Sequence, residues 1–136
     1  MMAKADSLID QIVGGRFRVQ SLLGEGGMGE VYKGRHEPLG DTVAIKVLKK
    51  EHAKDERMVA RFRREARSTS RVQHRNVVSI FDMGQLDDGR LYLVMEYIKG
   101  RSLVEILDEE GALPVERALR LAVQIADAMA AGHRMG

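Results

Sequence analysis

The stretch "LLGEGGMGEVYKG", Leu22–Gly34, followed after a turn by "VAIKVL", Val43–Leu48, decides how this chain is read. Four glycines, Gly24, Gly26, Gly27 and Gly29, crowd the front of the first run. Each raises the entropic cost of folding, so either the backbone turns here as other residues cannot, or something approaches it closely. The next residues, Val31 to Arg35, are β-branched and aromatic in character and read as a strand. A dinucleotide-binding unit would need a helix directly after its glycines. Glu51 lies about 20 positions on, where such a unit wants an acid. No crossover helix fits between, and that reading fails. On the loop alone, a generous hairpin turn and a close-approach loop remain equal.

The second run, read with Thr42 as a β-branched strand over Thr42–Leu48, separates them. With a period of two, Val43, Ile45 and Val47 face one side of a strand, and Ala44, Lys46 and Leu48 the other. An ammonium among apolar neighbours is costly unless it is paired. Lys49 and Lys50, at the strand end, read as solvated charges. The best counter-charge is Glu65. A helix fits from Asp55 to about Val72, with Asp55 as N-cap and with Met58, Phe62, Ala66 and Thr69 along one side. Glu65 falls about 60° from Phe62 on that helix, at the margin of the apolar stripe. Two pairings are open to it. Neighbouring arginines, Arg63, Arg64, Arg67 and Arg71, would give intrahelical pairs worth only tenths of a kcal/mol. Lys46 upstream favours a pair between elements.

Outward from these runs, the order is five strands interrupted by one helix, then two helices. Residues 1–15 read as a mobile lead-in. Phe17, Val19 and Leu22–Leu23 form a strand before the glycines, and Glu37 to Asp41 carries turn chemistry. Val77 to Met83 and Leu91 to Glu96 read as a hairpin around Asp87-Asp88-Gly89. After Lys99-Gly100 the pattern is helical. Ser102-Leu-Val-Glu105 matches a capping box, and Pro114 suits the first position of a helix running to about Arg134.

Composition narrows the class. The 136 residues suit one compact domain, with 44% apolar and 31% charged residues. A net charge of +2 gives no footprint of nucleic-acid binding. Cysteine is absent, which excludes disulfides and thiol chemistry. No secretory signal is visible, and no apolar run approaches the ~20 residues that cross a bilayer. A cytoplasmic location is the expectation, with an anchor possible in a downstream part.

Taken together, Gly24-Glu-Gly26-Gly-Met-Gly29-Glu-Val31 and Val43-Ala-Ile-Lys46 resemble the amino-terminal lobe of a protein kinase. "LLGEGGMGEVYKG", "RFRREA" and "LVMEYIKGRSL" resemble the bacterial serine/threonine kinases of eukaryotic type, from Gly15 to Gly136. The implied fold is α+β. A five-stranded antiparallel sheet with one helix spans 16–96, a hinge spans 97–101, and two helices of an incomplete second lobe span 102–136. The implied ligand is ATP, bound along Leu23, Gly24, Glu25, Gly26, Gly27, Met28 and Gly29, where Gly24, Gly26 and Gly29 would let backbone amides close over the phosphates. Val31 and Ala44 would sandwich the adenine. Lys46 would hold the α- and β-phosphates, oriented by Glu65. Met95 stands at the gatekeeper position. Glu96, Tyr97 and Ile98 look like the hinge, with backbone groups of Glu96 and Ile98 bonding adenine. Arg75 in "HRNVV" departs from the family, where Pro is common.

The family's chemistry also needs a catalytic Asp, a metal-binding Asn and the DFG Asp for Mg²⁺. None can be assigned in these residues. Asp82 in Phe81-Asp82-Met83-Gly84 precedes the hinge, and His133-Arg134-Met135 lacks the carboxylate of His-Arg-Asp. The expectation is therefore an ATP-binding portion of a kinase that phosphorylates protein substrates in full length, inactive by itself, with Mg²⁺ ligands elsewhere. Two alternatives stay open: a short non-catalytic nucleotide-binding or dimerisation module, and a scaffold that binds no nucleotide. The last helix, with Leu119, Ala122, Val123, Ile125, Ala126, Met129 and Ala130, has a broad apolar side that must be buried, by self-association of the isolated chain if nothing else covers it.

Overall fold

A computed structural model describes residues 7–136. They form two compact units. The first holds the described residues up to Ser70 together with Ser79–Tyr97, and the second holds Arg71–Val78 and Ile98–Gly136.

Six strands and one helix build the first unit: β1 (Ile12–Val13), β2 (Phe17–Glu25), β3 (Gly29–His36), β4 (Thr42–Leu48), α1 (Glu56–Ser70), β5 (Ile80–Gln85) and β6 (Leu91–Glu96). All neighbours are antiparallel, in the order β1-β2-β3-β4-β6-β5. β4 is central, pairing Val31 with Lys46 on one side and Lys46 with Leu93 on the other. Its alternation divides two clusters. Val43, Ile45 and Val47 pack with Phe17, Val19, Tyr32, Tyr92 and Val94. Leu48 packs with Met28, Phe62, Ala66, Leu91 and Leu93. Phe62 and Ala66 are the two buried residues of α1, so the helix covers this second side of the sheet. Asp55 caps it, its Oδ1 accepting from the amides of Arg57 (3.0 Å) and Met58 (3.4 Å).

Three expectations change. The lead-in over 1–15 is packed structure from Leu8 onward. Ile12–Val13 pairs with β2, and Leu8 and Val13 are buried in the first cluster, which makes six strands where five were expected. Residues 1–6 lie outside the described residues. The strand expected from Val77 begins only at Ile80. The Val77 amide is turned back onto the His74 carbonyl, and the Asn76 amide donates to His74 Nδ1, so the segment before Ser79 is a turn. Pro114, expected inside the last helix, is its N-cap, with ψ of 144°.

The second unit contains α2 (Leu103–Glu110) and α3 (Val115–Arg134). The capping box of α2 is complete: Ser102 Oγ accepts from the Glu105 amide, and Glu105 accepts from the Ser102 amide. Asn76 Nδ2 donates to the Gln124 carbonyl at 3.1 Å, fastening the 71–78 turn to α3. Only Ala131 of α3 is buried. Val115, Leu119, Val123, Ile125 and Met129 are all more than half exposed. Among the described residues, no helix is long and apolar enough to cross a membrane.

Candidate functional site

Two register shifts in β2, between Val19 and Ser21 and between Leu22 and Gly24, bend the strand just before the glycines. The hairpin then closes with the Gly26 amide donating to the Gly29 carbonyl at 2.8 Å. It overhangs a cavity of about 640 Å³ lined by Gly24, Glu25, Gly26, Gly27, Met28, Gly29, Val31, Lys46, Met58, Arg61 and Glu65.

The fold itself explains only one of the four loop glycines. A Cβ on Gly29 would sit 2.7 Å from the Val47 carbonyl oxygen, because β3 crosses β4 closely there. Around Gly24 and Gly27 an added Cβ meets nothing within 4 Å, and Gly26 finds only the Gly29 oxygen at 3.9 Å. None of the four has a positive φ. Neither turn geometry nor internal packing demands glycine at Gly24, Gly26 or Gly27. These positions keep the backbone bare toward the cavity.

Lys46 and Glu65 meet. Lys46 Nζ stands 3.6 Å from Glu65 Oε2 and 6.0 Å from the centre of the Phe62 ring. The pair is not sealed in the core, as the apolar setting of Lys46 suggested. The Lys46 side chain is 29% exposed and that of Glu65 45%, because both lie on the cavity wall. An ion pair so open to water contributes at most about 1 kcal/mol. Glu65 also accepts from Arg61 Nε at 3.1 Å through its other oxygen. The pair between elements and an intrahelical pair thus occur at once, one per carboxylate oxygen, the second with none of Arg63, Arg64, Arg67 and Arg71. The arginine involved is Arg61, which sequence reasoning did not single out. Its i, i+4 spacing to Glu65 was the available signal.

The other expected residues lie outside this cavity lining. Leu23 is half exposed on β2. Ala44 is buried and stands opposite Lys33 and Met95 in register. Met95 packs against the Leu48–Phe62 cluster. The Glu96 amide donates to the Ser79 carbonyl at 2.8 Å, and its carboxylate accepts from the Ser79 amide. Lys33 Nζ lies 5.3 Å over the Tyr97 ring. Ile98, 60% exposed, begins the second unit's last segment. Asp82 is engaged with Arg16 at 2.5 Å. Among the described residues, no three His, Cys, Asp or Glu side chains gather in a group that could hold a metal.

Comparison with known proteins agrees with this geometry. The family pattern "Protein kinase domain" matches residues 17–136. The chain is 47% identical over 135 residues to the serine/threonine-protein kinase pkn2 of Myxococcus xanthus, covering 99% of this chain and 16% of that protein. It is 41% identical over 127 residues to PrkC of Bacillus subtilis, covering 93% of this chain and 19% of PrkC. The PknI kinase domain of Mycobacterium tuberculosis superposes with a TM-score of 0.78 at 30% identity, over 96% of this chain and 52% of that domain. The chain thus spans about half of a solved kinase domain and a quarter or less of the curated relatives. With its glycine hairpin, its Lys46–Glu65 pair and this likeness along nearly its whole length, the chain belongs to the protein kinase domain family, among the bacterial serine/threonine kinases.

Proposed function

We propose that this chain is the ATP-binding portion of a serine/threonine protein kinase that, in full length, transfers the γ-phosphoryl of ATP to protein hydroxyls. The observation that carries the proposal is the Lys46–Glu65 pair on the wall of a cavity roofed by glycines that the fold does not require. Lys46 is assigned to the α- and β-phosphates, with Glu65 fixing its ammonium. Backbone without side chains at Gly24, Gly26 and Gly27 lets phosphate oxygens approach closely, with the Gly26 amide already given to the Gly29 carbonyl. Val31 and Ala44 are assigned to the adenine faces, Leu23 near the end of β2 to the same ligand, and Met95 to the gatekeeper position. The Glu96 amide is spent on Ser79, so that residue could offer adenine only its carbonyl, and Ile98 is the proposed donor. Mg²⁺ is assigned to ligands of the full-length kinase, since among the described residues no three acidic or imidazole side chains gather to hold a metal.

The test is a melting curve with and without ATP. ATP at roughly 100 times its Kd stabilises by about 2.7 kcal/mol. Lys46→Met should erase that gain while leaving the apo melting temperature nearly unchanged, since the pair is too exposed to matter much to stability. No ATP-induced rise would leave the scaffold reading standing. We further propose that these 136 residues alone transfer no phosphoryl group, having no assigned base. Lys46-dependent radiolabel incorporation would refute this.

Self-association is part of the same proposal, favoured by the exposed Val115, Leu119 and Val123, spaced four apart along α3. Sedimentation over a concentration series should give a growing dimer fraction, which Leu119→Glu with Val123→Glu abolishes. A wild-type chain that stays monomeric throughout would end that part of the reading.

A further inference from the structure

The glycine hairpin is fastened at its tip from two sides. Met28 is buried beside Leu48 and Phe62, and its carbonyl accepts the Lys49 amide at 3.0 Å. The Gly27 carbonyl accepts from His52 Nε2 at 3.1 Å. A carbonyl can only accept, so that ring nitrogen carries the proton. His52 closes the short 3-10 turn Lys50–His52 that follows β4, and its side chain is only 26% exposed. Its backbone faces the other way in the chain: the His52 carbonyl accepts the Asp55 amide at 3.0 Å, and Asp55 caps α1. One residue therefore holds the loop with its ring and the start of the Glu65 helix with its main chain.

We infer that His52 is a positioning residue that latches the glycine hairpin over the cavity and couples it to α1. The inference deepens the nucleotide-binding reading and rests on it for its consequence. Beyond Met28 and the Gly26–Gly29 bond inside the hairpin, no side chain of Gly26 or Gly27 anchors the tip. Such a segment has many open conformations to gain. One hydrogen bond is worth enough to shift a closed-to-open ratio by about threefold to tenfold.

The experiment compares the 136-residue wild type with His52→Ala and His52→Gln. Amide hydrogen exchange is read at Gly26, which bonds the Gly29 carbonyl, and at Lys49, which bonds Met28. Val94, fully buried in the sheet, reports global unfolding. His52→Ala should speed exchange at Gly26 and Lys49 by about threefold to tenfold, and weaken ATP binding by a similar factor, with Val94 unchanged. His52→Gln, which keeps a donor of similar reach, should restore both. Wild-type exchange rates at the loop in His52→Ala would overturn the latch, and so would equal loosening by Gln. Loosened exchange with unchanged ATP affinity would overturn the coupling to the site. If the wild type binds no ATP, the nucleotide reading fails by itself, and the exchange rates still decide the latch.

Discussion

The two units solve the burial problem differently. In the first, the central strand is lined on both faces: Ile45 and Leu48 are each fully buried, one in each cluster. In the second, α3 runs 20 residues with one buried side chain and a row of apolar ones in water. The first unit's stability comes from a core that joins its hairpins and α1, with β4 paired to β6 and Phe62 packed beside Leu48 and Leu93. The second is held by local devices, the capping box at Ser102 and the ion pairs of Arg101 and Arg117 with Glu109 and Glu110, which are exposed and individually weak. Truncating one apolar side chain should therefore mean opposite things in the two units.

The largest effect tests this directly. Phe62→Ala removes the ring that joins α1 to the sheet and should cost about 3–5 kcal/mol in denaturant melts. Val123→Ala, at a site 60% exposed in the single chain, should stay within about 0.5 kcal/mol at concentrations where the chain is monomeric. A loss at Val123 that grows with protein concentration would mark the proposed self-association through α3, and a loss at every concentration would break the contrast between the units.

Next in size is a contrast inside the glycine loop. Gly29→Ala pushes a methyl against the Val47 carbonyl, which is backbone and cannot step aside, and should cost about 1–3 kcal/mol. Gly27→Ala has open space and no positive φ, so it should be neutral or stabilise by up to about 1 kcal/mol. Under the proposed function, Gly27→Ala should nevertheless reduce the ATP-induced rise in melting temperature. Thermal melts with and without ATP separate the two roles.

The smallest effect concerns the hairpin between β5 and β6. Arg90 is buried and donates to Asp88 through Nε and Nη2, both at 2.8 Å, and these bonds hold the Asp88 carboxyl below its ordinary 3.8. A carboxyl lowered in the folded state stabilises above its unfolded value and loses that contribution as pH falls through the lowered one. Asp88→Asn should cost about 1 kcal/mol near neutral pH, discounted for the exposure of Asp88. The difference from wild type should shrink below pH 3.8 and vanish once the folded carboxyl is protonated.

Sequence reading served best where the signal is local. Thr42–Leu48 emerges with its expected bounds because seven alternating residues, bounded by a turn and by lysines, leave no other register. The Ser102 capping box and the Asp55 cap are likewise short-range hydrogen bonds between neighbours. The Lys46–Glu65 pair was legible because an isolated cation in an apolar strand needs a counter-charge, and the helix offered one on the right side. Leu8 and Val13 were not legible. Their burial depends on pairing with β2, and the Asp10 amide bonding the Val19 carbonyl is one of the contacts that hold that segment down.

By itself, the sequence determined the order of elements from Phe17 onward, the two-faced alternation of Val43–Leu48, and the presence of a glycine hairpin followed by one costly lysine. Period, capping and turn chemistry act within a few residues, and the chain spells them out. Only the tertiary structure decided that Gly29 answers to the Val47 backbone while Gly24, Gly26 and Gly27 answer to nothing inside the fold. It also decided that Glu65 divides its two oxygens between Lys46 and Arg61, and that His52 reaches back to Gly27. These are distances between residues 4 to 25 positions apart, set by how strands cross and where a helix rests, which no local pattern records.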